Sequence, residues 1–142
     1  MKDGQTHGRE NFSKAMSKIR ILIIGLGRNG KIHLANLQAV DEVEIIGICD
    51  PTDEAKAFSN KAGLTFYQKD FTDVASEVQT DAIVICSPTD THANYVSLAA
   101  KKGIDVFCEK PLDLSLKKVK EVLKTVSESK IKLMLGFNRR FD

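Results

Sequence analysis

The 142-residue chain is 42% hydrophobic and 28% charged, with a formal charge of +2, the length and composition of one ordinary globular domain. A charge so near neutral, with no stretch interleaving basic and aromatic residues, speaks against a nucleic-acid surface. No apolar run reaches the roughly 18 residues that suggest a membrane span. Met1 to Lys18 is polar, and its acids Asp3 and Glu10 argue against a transit peptide; it reads as a disordered tail before one domain over residues 19–142, with a reducing, cytoplasmic location expected. Cys49, Cys86 and Cys108 form no C-x-x-C pair and each ends an apolar run, so they read as small buried hydrophobes, with no metal expected.

The first element, the apolar and β-branched run Ile21 to Ile24, stops at Gly25, as a buried parallel strand would. Gly25, Gly27 and Gly30 then stand at G-x-G-x-x-G spacing. The first suits a tight turn, the second allows main chain to approach a pyrophosphate, and the third lets helix and strand pack closely. Unpaired amides at the start of the following helix make an anion site, so the expected ligand is a dinucleotide. That helix is predicted from Arg28 to Ala39, with Gly30, Leu34 and Leu37 against the sheet. His33, one turn past the last glycine, has no visible partner and reads as structural.

Val43 to Cys49 is the second strand and ends in Asp50, about 20 residues past the glycines, where a carboxylate accepts from the adenosine ribose hydroxyls. Pro51 and Thr52 open a helix with Ala55, Phe58 and Ala62 on its apolar side, stopped by Gly63. Leu64 to Tyr67 is a short third strand, and Asp70 or Thr72 caps a short helix through Val78. The fourth strand, Asp81 to Cys86, is nearly all apolar, as a central strand must be. It leads into Ser87-Pro88-Thr89-Asp90-Thr91-His92, where Asp90 is a plausible cap for a helix from Thr91 to Lys102, stopped by Gly103. Ile104 to Cys108 is the fifth strand, followed by Glu109-Lys110-Pro111. Asp113 or Ser115 caps a helix whose predicted buried stripe is Leu116, Val119, Leu123 and Val126. Ile131 to Leu135 is the sixth strand. Right-handed crossovers on this alternation give an α/β, doubly wound parallel sheet of Rossmann type, in the order 3-2-1-4-5-6.

Ligands of such sheets bind outside the carboxyl ends of the strands. Those ends carry the glycine loop, Asp50, Ser87 to His92, Glu109 to Pro111 and Asn138 to Arg140. Taken singly they are ordinary turns and surface charges. Together, G-L-G-R-N-G, S-P-T-D-T-H, E-K-P and G-F-N-R-R-F-D resemble the N-terminal domain of the glucose-fructose oxidoreductase and inositol dehydrogenase family, over about Lys18 to Asp142. The resemblance implies NAD or NADP binding and hydride transfer at a carbon bearing a sugar or cyclitol hydroxyl. It implies that the Arg28 and Asn29 amides hold the pyrophosphate and Asp50 the adenosine ribose. Ser87, Pro88, Thr89 and His92 would line the path to the nicotinamide, Glu109 and Lys110 would reach the nicotinamide ribose and the substrate hydroxyl, and Asn138 and Arg139 would border the nicotinamide pocket. Pro111 is often preceded by a cis peptide in such proteins.

A lysine suits the catalytic role because its ammonium can orient a hydroxyl and ease its deprotonation; the bland alternative is a salt bridge to Glu109. Asp50 favours NAD over NADP, since a carboxylate repels a 2′-phosphate, although Arg28 weighs the other way. The resemblance also implies a second domain beyond this chain that supplies most of the substrate pocket and the oligomer interface, so the chain alone should bind cofactor with little or no turnover. A non-catalytic NAD-sensing module and an inactive structural product remain as alternatives.

Overall fold

The computed structural model describes residues 17–137. Residues 1–16, most of the stretch read as a tail, and residues 138–142, with Asn138 and Arg139, lie outside the described residues. The strands are β1 (Ile19–Ile24), β2 (Val43–Cys49), β3 (Phe66–Tyr67), β4 (Ala82–Ile85), β5 (Asp105–Cys108) and β6 (Leu133–Leu135); the helices are α1 (Arg28–Gln38), α2 (Asp53–Lys61), α3 (Phe71–Val74), α4 (Thr89–Lys101) and α5 (Leu116–Ser129). Every pairing is parallel, and the order β3-β2-β1-β4-β5-β6 is the expected one.

Ile21 to Ile24 are all buried because β1 is covered on both faces, and the strand pleat divides them between two cores. Leu22 and Ile24 pack with Val96 and Ala99 of α4 and Val122 of α5. Ile21 and Ile23 face Leu34 of α1 and Ala55 of α2. Leaving β1, the chain crosses to β2 on one side; leaving β4, it crosses to β5 on the other. The crevice between those departures is the topological switch point of the sheet.

Four local expectations need correction. In α2 the buried residues are Ala55 and Ser59; Phe58 is exposed, with Lys31 Nζ 5.2 Å from its ring centre. In α5 the inward face is Val119, Val122 and Val126, whereas Leu116 and Leu123 are exposed. Asp90 does not cap α4: the helix starts at Thr89 with Pro88 before it and no side-chain cap, and Asp90 lies inside the first turn. Proline, with φ already fixed near helical values, starts the helix earlier than the acid suggested. Asp70 caps α3, which ends at Val74 rather than Val78, and Ser115 caps α5.

Candidate functional site

The glycine turn is pinned between its neighbours: Gly25 N donates to the Cys49 carbonyl at 2.8 Å and Cys86 N donates to the Ile24 carbonyl at 2.7 Å. Gly25 has φ +87°, and a Cβ there would lie 2.6 Å from the Ser87 nitrogen. A Cβ on Gly30 would overlap the Gly25 carbonyl oxygen. Both glycines are therefore demanded by the fold itself. Gly27 is not, since a Cβ there would meet nothing within 4 Å. Gly27 is also the N-cap of α1 and offers no side-chain acceptor, and the first turn, with Arg28 and Asn29, holds no acid. Every other described helix start has a side-chain cap, an acid in its first turn, or both. The first amides of α1 thus keep their donor capacity for an external acceptor, reinforced by the helix dipole.

Asp50, only 8% exposed, faces this turn. Its Oδ2 accepts from Leu26 N at 2.8 Å, and its Oδ1 accepts from Thr52 N at 2.8 Å and Thr52 Oγ1 at 2.6 Å. A carboxylate has about four lone-pair positions, so three are engaged and one is left for a further donor. The acid therefore braces the glycine turn as well as bordering the site.

Between these groups lies a cavity of about 230 Å³, lined by Gly25, Asp50, Ser87 and Pro88 with Phe71 and Tyr95. Lys69, Asp70 and Thr91 also line it, and the sequence reading missed all three in this role. Ser87 Oγ and Thr91 Oγ1 are 2.7 Å apart, and Thr91 Oγ1 donates to the Pro88 carbonyl at 2.6 Å. Tyr95 donates to Asp70 Oδ2 at 2.6 Å; burial, with this acceptor, pushes its phenol well above the usual range. Thr89 lies apart, in a neighbouring groove with Asp113 and Leu114.

Cys49 borders the same cavity. Burial, with the charges of Asp70, Asp50 and Asp73 adding to it, pushes its thiol up to about 12. Burial and the Glu109 charge do the same for Cys86 and Cys108, each up to about 12. Only the thiolate alkylates readily, so all three should resist iodoacetamide at neutral pH in the folded chain and react once urea unfolds it. Rapid labelling of the folded chain, read by mass spectrometry, would contradict this packing.

At the far side of the crevice, Glu109 Oε1 lies 2.6 Å from His33 Nε2, whose ring meets Phe107 edge-on with centroids 4.9 Å apart. The described ion pairs of lysines are Lys31–Glu54 and Lys69–Glu77, and Lys110 enters neither. Glu109 is hydrogen-bonded to His33 instead of forming the salt bridge to Lys110 considered from sequence. Phe107 and Glu109 both reach the α1 side, two residues apart, by strand alternation. Lys110 is exposed, and its peptide bond to Pro111 is cis. His92, expected to line the path to the nicotinamide, is instead 2% exposed. Its Nδ1 lies 2.7 Å from the Pro111 carbonyl and its Nε2 2.7 Å from the Ser87 carbonyl.

A parallel sheet with an uncapped glycine turn, an acid on the next strand and an aromatic-lined cavity at its switch point is the architecture of a dinucleotide-binding domain. The model of the oxidoreductase family with an NAD-binding Rossmann fold, which groups glucose-fructose oxidoreductases, inositol dehydrogenases and MocA, matches residues 19–137, and the chain belongs to that family. It is 39% identical over 125 residues to inositol 2-dehydrogenase of Rhizobium meliloti, covering 87% of this chain and 37% of that protein. Against myo-inositol 2-dehydrogenase of Thermotoga maritima the identity is 38%, with coverage of 87% and 37%. Among solved structures, scyllo-inositol dehydrogenase of Lactobacillus casei with bound NAD(H) and scyllo-inositol superposes with a TM-score of 0.83 at 29% identity, over 89% of this chain and 38% of that one. The chain therefore spans little more than a third of the length of these relatives. Among the described residues no helix is long and apolar enough to cross a membrane, and no cluster of potential ligands suits a metal ion.

Proposed function

We propose that residues 19–142 are the NAD-binding domain of an oxidoreductase that acts on the CH–OH group of a cyclitol or sugar, as the inositol dehydrogenases it resembles do by name. The observation that carries this reading is the bare start of α1: an N-cap glycine with open space above it and no cap or acid of the chain's own. In this reading the amides of Arg28 and Asn29, with Gly25, Gly27 and Gly30 shaping the turn, hold the diphosphate. Asp50 accepts from an adenosine ribose hydroxyl with its remaining lone pair, and the cavity beside it takes the adenosine end. Ser87 and Pro88 border the way to the nicotinamide. Glu109 and Lys110 flank the nicotinamide ribose, with Asn138 and Arg139 beyond them on the strength of the family resemblance alone.

The bound dinucleotide would supply the hydride acceptor. Lys110 would orient the substrate hydroxyl and lower the cost of removing its proton, and its freedom from any described ion pair supports that use over a purely regulatory module. Residues outside this chain complete the substrate pocket and any oligomer, and three free cysteines, two of them buried, suit a cytoplasmic protein. A fluorescence titration tests the binding claim. NADH should bind saturably, NADPH more weakly because its 2′-phosphate meets Asp50, and ADP-ribose should compete with NADH. Absence of NADH binding by the folded chain would overturn the reading.

A further inference from the structure

The two residues that flank Lys110 are each tied to a histidine, and the histidines come from helices on opposite faces of the sheet. Before it, the Glu109 carboxylate meets His33 of α1; after it, the Pro111 carbonyl meets His92 of α4. Lys110 itself is exposed and in no described ion pair. The main chain around it is further held because Glu109 N donates to the Ile85 carbonyl at 2.9 Å. We propose that His33 and His92 are positioning residues: they clamp the E-K-P segment from both faces so that the Lys110 ammonium is presented, unpaired, to the nicotinamide end of the site. The proposal rests on the dinucleotide reading above.

The two clamps differ in chemistry, and the difference is testable. His33 uses only Nε2, towards one acceptor. A glutamine places its amide nitrogen near the position of Nε2, so His33→Gln should replace it. Both ring nitrogens of His92 lie 2.7 Å from a carbonyl oxygen, Nδ1 from that of Pro111 and Nε2 from that of Ser87. A neutral ring, with one N–H, donates to one of them. Asparagine mimics Nδ1 and glutamine Nε2, so each can keep only one of those contacts, and only His92→Asn keeps the one to Pro111.

The experiment follows the Lys110 Hε–Cε signal and the amides of Gly25, Gly27 and Gly30 by NMR in the labelled chain. In the parent chain NADH should displace both sets, whereas ADP, which has the diphosphate but lacks the nicotinamide ribose, should displace only the glycine amides. In His33→Ala the glycine amides should respond as before, with the dissociation constant within about twofold, while the Lys110 displacement falls to about half or less. His33→Gln should restore it, and His92→Asn should retain more of it than His92→Gln. His33 is partly exposed, so its variants remain informative if those at the buried His92 fail to fold. Glycine amides that respond while Lys110 moves equally in His33→Ala and the parent, or a His33→Gln no better than alanine, would overturn the clamp alone. Glycine amides that ignore NADH in the folded parent chain would overturn the dinucleotide reading and the clamp with it.

Discussion

Gly30→Ala is expected to unfold the glycine turn, while Gly27→Ala keeps the fold and loses the dinucleotide. At Gly30 the new methyl would overlap the carbonyl oxygen of Gly25. That carbonyl cannot retreat cheaply, because Gly25 N is bonded to the Cys49 carbonyl at 2.8 Å and Cys86 N to the Ile24 carbonyl at 2.7 Å. Overpacking typically costs about 1–3 kcal/mol, and a clash of main chain with pinned main chain belongs at or above the top of that range. For a domain of this size the melting temperature should fall by roughly 10 °C or more. At Gly27 a methyl meets nothing within 4 Å, and φ is −76°, an ordinary value for alanine. Its unfolding free energy should stay within about 1 kcal/mol of the parent, since the entropy gained by replacing glycine offsets the poorer N-cap. The same methyl would stand where a diphosphate must approach the α1 amides, so NADH affinity should drop at least about tenfold, or 1.4 kcal/mol. Thermal melts and NADH titrations of both variants separate the two roles. A Gly27→Ala chain that binds NADH like the parent would mean that the open space serves some other end.

That contrast marks what the sequence could carry and what it could not. Spacing put all three glycines in one motif, but only the coordinates separate the two that the fold requires from the one it leaves open. The order of the sheet was legible because each strand is a short apolar run, α2 and α4 stop at Gly63 and Gly103, and the crossover rule then admits few arrangements. Helix faces were less legible. In α5, Leu116 and Leu123 repeat at seven residues as convincingly as Val119 and Val126, and Val122 decides the matter by turning the buried stripe roughly an eighth of a turn. In α2, Phe58 stands with Ala55 on the apolar side by spacing, yet its ring lies under Lys31 at the surface. The role of His33 was invisible because its partner lies 76 residues away, and nothing local signals that contact. Asp70 was read only as a cap, which it is, because its share in the cavity depends on Tyr95 reaching it from α4.

Asp50→Asn should be far from conservative. The carboxylate accepts on both oxygens, from Leu26 N on one and from Thr52 N and Oγ1 on the other. An asparagine offers one acceptor oxygen and one amide that only donates. In either orientation a donor faces a donor, at Leu26 or at Thr52. The Leu26 side is buried, where an unsatisfied N–H costs about 1–3 kcal/mol. On the Thr52 side the damage spreads into α2, because Thr52 Oγ1 is also the cap that accepts from Ala55 N at 3.2 Å. Urea denaturation should therefore show a loss of roughly 2–3 kcal/mol. NADH affinity should fall because the ribose loses its acceptor and the turn its brace, while NADPH is relieved of charge repulsion and falls less. The ratio of the two affinities should thus move towards one. Unchanged stability would show that the carboxylate does not brace the glycine turn. An unchanged ratio, with both affinities reduced alike, would leave Asp50 as a brace only and place cofactor selection elsewhere on the rim.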